Sequence, residues 1–135
     1  MKALFSERRA LHGLLVFFLL TLVFHALVVV GMIPYALVWG GRLRDTSQML
    51  RWEAGALTMT LLLLAVVAVQ AGYVKIRVHP WVMTVAFSLL FLFFLVNTAG
   101  NLLAADKLEN WLFAPLTLLL ALLSLRVAVS RALPL

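Results

Sequence analysis

His25 stands well inside the first apolar run of this chain, and an imidazole at that depth needs a reason. At 1.5 Å per residue it lies about 20 Å from the start of its run, in the outer third of a bilayer. Asn97 falls at a similar height on the third run. Thr58 and Thr117 lie about one to two turns in from the same surface on the second and fourth. Asn97 and Asn101 are four apart, so they share a helix face, with Gly100 beside them to admit another backbone. Glu53 and Glu109 sit at the rim above. Together His25, Asn97, Asn101, Thr117, Glu53 and Glu109 form a candidate polar site. Its chemistry has two readings. One is interhelical hydrogen bonding at about 0.6 to 2 kcal/mol per bond, and the other is a site for a ligand or ion. Pro115 adds to the layer, because a proline within a helix leaves the carbonyl four residues earlier, that of Trp111, without its usual donor. Asn97, Asn101 or a water are the donors to expect.

Other chemistries find less support. His12 and His79 both fall near the inner surface, and paired axial histidines at matched depth are what a haem requires. Two histidines at an interface are more often simply solvated side chains. Proton transport calls for a carboxylate inside a span, and Glu53 and Glu109 lie only at span ends. The chain has no cysteine, which removes disulfides, thiolate metal sites and cysteine nucleophiles. No catalytic, metal or cofactor signature names an activity.

The elements that must position these residues follow from composition. Of 135 residues, 65 % are hydrophobic and 12 % charged, with a mean hydropathy of +1.11. That is too little polar surface to cover a soluble globule of this size, so the expected solvent is lipid. The pattern predicts a single all-α transmembrane domain over 1–135, a four-helix bundle with spans at about 10–33, 53–73, 81–103 and 107–130. The first run is about 20 residues or longer and no A-x-A site follows it, so it reads as an uncleaved helix and not a secretory signal. Pro34, Tyr35, Trp39 and Gly40-Gly41 mark its exit. Asp45 with Gln48 and Asp106 with Glu109 have capping-box spacing, so the second helix is expected to begin before the lipid does, as an interfacial turn, and the fourth to start at Lys107. Ala65, Ala68 and Gly72 offer small residues for packing on the second span, and Phe87, Phe91 and Phe94 an apolar stripe on the third.

Sidedness follows from the basic residues. With the N-terminus inside, Lys2, Arg8, Arg9, Lys75, Arg77, Arg126 and Arg131 fall on the inner face, against Arg42, Arg44, Arg51 and Lys107 outside. The positive-inside rule therefore predicts N-in, C-in. The whole formal charge of +6 then lies on the inner face, so anionic lipid is the expected partner at the cytoplasmic surface, and the basic pI of 10.9 implies no nucleic acid. All four Trp and both Tyr fall at predicted span ends, as an aromatic belt requires. A shift of 59 residues superposes Gly41 on Gly100, Trp52 on Trp111 and Thr58 on Thr117. Two tandem hairpins are one reading of this repeat, and a belt Trp at the end of every hairpin is the other.

The run N-T-A-G-N-L-L-A from Asn97, then Glu109, F-A-P-L-T at Phe113 to Thr117 and S-L-R at Ser124 to Arg126, resembles uncharacterised small four-span integral membrane proteins of bacteria. The resemblance covers about the last quarter of the chain. It implies an inner-membrane location and carries no activity, substrate or cofactor. The sequence therefore predicts a non-enzymatic membrane component, self-assembling or an accessory subunit of a larger complex. The alternative is an oligomeric small transporter or channel with a polar site in the outer half of the bundle. A third class is an intramembrane enzyme acting on lipid or quinone through His25 with Glu53 or Glu109.

Overall fold

In hydrocarbon a chain must close its backbone hydrogen bonds within itself, and long apolar runs do so as helices. The computed structural model describes residues 6–38, 41–105, 107 and 109–132. It is helical, with no strand among the described residues. Helix α1 is Glu7–Val29, a 3₁₀ turn covers Tyr35–Leu37, α2 is Thr46–Ala71 and α3 is Pro80–Leu103. A π turn, Glu109–Phe113, then leads into α4, Ala114–Ala132. Four helical stretches are long and apolar enough to cross a membrane, the last measured as Asn110–Ser130. Trp39, Gly40 and Asp106, invoked above for a belt, a turn and a cap, lie outside the described residues.

The chain forms two compact units, Leu15–Ala65 and Met1–Leu14 with Val66–Leu135. In the first, α1 ends in a Schellman motif. Gly31 takes φ +86°, its N–H donates to the Val28 carbonyl, and the Met32 N–H donates to the Leu27 carbonyl at 3.0 Å. Only glycine adopts that backbone without strain, and nothing lies within 4 Å of where its Cβ would be. Gly31→Ala should therefore cost about 1 to 2 kcal/mol through strain alone, read as a lowered Tm in detergent. Beyond the turn, Val28, Leu43 and Met49 form a small core, with Ile33, Tyr35 and Val38 packed against it. Asp45 caps α2 by accepting the Gln48 N–H at 2.7 Å, while the Gln48 side chain accepts the Arg44 N–H at 2.9 Å. This is the expected reciprocal cap, with its return bond one residue earlier than in a capping box.

In the second unit α3 packs along α4. The buried residues of α3 are Met83, Phe87, Leu90, Phe94 and Thr98, a stripe at spacings of three and four. Phe91, assigned to that stripe above, is only half-buried. The buried side of α4 carries Ala114, Ala121, Ser124 and Ala128, small residues that leave room for large ones opposite. The close approach in this unit is at Gly13, whose missing Cβ would sit 3.0 Å from Leu123 Cδ1. Gly72 and Gly100 play no such part, since nothing lies within 4 Å of either. Gly72 instead ends α2 in a second Schellman motif at φ +87°.

Candidate functional site

Hydroxyl groups inside an apolar helix have a local way out, which is to donate to the carbonyl one turn back. Thr21, Thr58, Thr60, Thr84, Ser88, Thr98 and Ser124 all do so, at 2.7 to 3.1 Å. Asn97 follows the same rule. Its amide donates to the Phe93 carbonyl at 2.7 Å and the residue is exposed. Thr58 and Asn97 of the expected polar layer are thus satisfied within their own helices, while His25, Glu53, Asn101 and Thr117 reach across.

His25 and Glu53 are one such pair. Each belongs to the unit Leu15–Ala65, on α1 and α2 respectively. His25 Nδ1 lies 2.6 Å from Glu53 Oε2, and the Glu53 side chain is fully buried while that of His25 is 14 % exposed. Such a distance belongs to a charge-assisted hydrogen bond. A carboxyl group removed from water must be protonated or partnered, and this contact partners it. Phe24 meets the imidazole edge-on at 5.3 Å. Beside the ring is an open cavity of about 360 Å³ lined by Phe24, His25, Leu37 and Val38. Glu53 is the eighth residue of a helix that begins at Thr46, and its side chain is fully buried within the protein.

Thr117 is the centre of the second group, in the other unit. Its hydroxyl donates to the Phe113 carbonyl at 2.8 Å, with the Ala114 carbonyl at 3.2 Å. Its oxygen lies 3.0 Å from Thr98 Oγ1, whose single proton is shared between this contact and the Phe94 carbonyl, and it accepts more weakly from Asn101 Nδ2 at 3.4 Å. Asn101 and Thr117 of the candidate site therefore meet directly, and Thr98, a buried residue of the same stretch that the candidate site left out, joins them at Thr117. The group surrounds the junction of the π turn with α4. Neither Asn97 nor Asn101, the expected donors to the Trp111 carbonyl, is directed to it: their amides bond to the Phe93 carbonyl and the Thr117 hydroxyl. Next to it, Asn110 Oδ1 is buried without a hydrogen-bond partner. Glu109 opens the π turn, and its side chain lies outside the described residues.

The histidines considered for a haem have other roles. His12 uses both ring nitrogens, Nδ1 with the Arg8 carbonyl and Nε2 with the Tyr73 hydroxyl, each at 2.8 Å. A carbonyl only accepts, so Nδ1 carries a proton, and the Tyr73 hydroxyl, able to donate or accept, partners Nε2. His79 caps α3, its Nδ1 accepting the Trp81 N–H at 3.1 Å, with Pro80 at the first helical position. Both are structural contacts, and no group of three or more His, Asp or Glu able to hold a metal occurs among the described residues. Comparison with protein-family models, curated proteins and solved structures found no match for this chain.

Proposed function

We propose that the chain is a non-enzymatic component of a bacterial inner membrane, spanning it four times with both termini cytoplasmic and acting through association within the bilayer. What supports this reading is how little of each apolar helix the protein covers by itself. Only 11 % of the most apolar window of α2 is buried, and even on the last span the share is 39 %. Lipid or another subunit must cover the remainder, since apolar surface on this scale is not stable in water. Two of the joining segments, 72–79 and 104–108, are short, so function has to reside in the spans. The basic residues at the ends, among them Arg8, Arg9, Lys75 and Arg77, support an inner face that attracts anionic lipid at about 1 kcal/mol per charge.

A reporter active only in the periplasm, fused after Leu135, is expected to be silent, and a cytoplasmic reporter at the same place to be active. The reverse pattern would overturn the orientation. Mass in detergent tests the association: a strict monomer that retains no other subunit would remove the reading as a whole.

The second reading, an oligomeric small transporter, is favoured by one observation. An ionisable pair within two spans, opening through His25 to a cavity, is the kind of group on which transport of protons or small ions depends. Proton uptake by reconstituted vesicles under an imposed potential, lost in Glu53→Gln, is the result it requires.

A further inference from the structure

The start of α1 and the end of α2 are held at one level by two contacts. Gln70 Nε2 donates to Glu7 Oε1 at 2.9 Å, and the His12 ring meets the Tyr73 hydroxyl. At that level is a cavity of about 350 Å³ lined by Glu7, Arg8, Leu11, His12, Gln70 and Ala71. Its volume is in the range that holds small ligands, about 300 to 1,000 Å³. His12 has both nitrogens committed, so it frames the cavity and does not bind in it.

Three kinds of polar group line the cavity. The Arg8 guanidinium presents a planar set of N–H donors suited to a phosphate. The Glu7 carboxylate has about four lone-pair positions, so it accepts further donors alongside Gln70. Gln70, having donated to Glu7, keeps an amide oxygen that only accepts. Leu11 and Ala71 add an apolar margin. An anion and a cation with several N–H groups, a few bonds apart, match this set. A cation without N–H groups does not. The cavity also lies where the apolar runs of α1 and α2 give way to charge, the depth of lipid headgroups.

We propose that this cavity seats the headgroup of a zwitterionic phospholipid that carries a primary ammonium, with its phosphate on Arg8 and its ammonium on Glu7 and Gln70. The inference rests on the chain lying in a bilayer, and it goes further in naming a lipid class selected by hydrogen bonding and not by net charge.

The test uses the full chain in vesicles containing equal parts of phospholipids with one acyl composition. Their headgroups are ethanolamine, N-methylethanolamine, N,N-dimethylethanolamine, choline and glycerol. After extraction in mild detergent at about 1 M salt, where charges in water are screened beyond about 3 Å, retained lipid is counted by mass spectrometry. Retention should fall along the methylation series, by about tenfold from ethanolamine to choline. Arg8→Gln should lower retention of every headgroup, Glu7→Gln should flatten the series, and Arg9→Gln should leave it unchanged. Because the series is read on the unaltered protein, it does not depend on any variant folding. A flat series, or a preference for the glycerol headgroup, would overturn the proposal. So would displacement of the lipid by an equal concentration of free phosphoethanolamine, which would make a soluble phosphoamine the occupant. Failure of the chain to enter vesicles would count against the membrane reading instead.

Discussion

His25→Leu should destabilise the protein by about 3 to 5 kcal/mol, because it leaves a fully buried carboxyl group without its imidazole partner. Glu53→Leu should cost less, since the His25 ring retains partial exposure and Leu fills the carboxyl volume. The double variant His25→Leu/Glu53→Leu decides what the pair is for. Replacing both members of a buried ion pair by apolar groups of similar volume is often neutral or stabilising by about 1 to 4 kcal/mol. A double variant as stable as the original, with its physiological activity intact, would make the pair a fastening between α1 and α2. A double variant of restored stability and no activity would make it a functional group. Unfolding in a single detergent across all four proteins measures the cycle, and its interaction energy should exceed about 1 kcal/mol for groups in direct contact.

Phe87→Ala should cost about 2 to 3 kcal/mol, less than the same change in a soluble core. Its ring is fully buried in the stripe that α3 presents to α4. In lipid the unfolded reference is already apolar, so transfer from water contributes little and the cavity term remains, about 24 cal/mol for each Å³ left empty. Phe93→Ala is the control. That residue is 53 % exposed on the same helix, and its loss should leave the Tm nearly unchanged. Equal effects at the two positions would mean that α3 faces its neighbour differently.

The helices were legible in the sequence because length and hydropathy are physical demands of a bilayer, and they hold residue by residue. Asp45 with Gln48 announced the start of α2 for the same local reason. The polar layer was legible in part. Asn101 and Thr117 meet, but Asn97, four residues from Asn101, turns its amide onto Phe93. Depth along a helix follows from counting, whereas the choice between one's own carbonyl and a neighbouring helix depends on rotamers and packing that counting does not reach. Glu53 was legible as a polar residue near the start of the second apolar run, but its partner His25, 28 residues away, was not. The contacts of His12 with Tyr73 and Glu7 with Gln70 left no signal of spacing, since their partners come from distant parts of the chain, whereas Thr98, three residues before Asn101, shares its face and was within reach of the same counting.

The self-contained hydroxyls of Thr21, Thr58, Thr60 and Ser124 bear on how the protein is made. A helix whose hydroxyls bond to its own carbonyls can leave the translocon for lipid alone, bringing no such group in need of a partner. Helix α2 cannot do so without loss, because Glu53 adds an insertion penalty of about 2.5 to 3.5 kcal/mol if it enters the hydrocarbon centre charged and alone. His25 is on the helix synthesised just before it. The contact that fastens α1 to α2 therefore also lowers the cost of bringing α2 into lipid whenever α1 is already beside it.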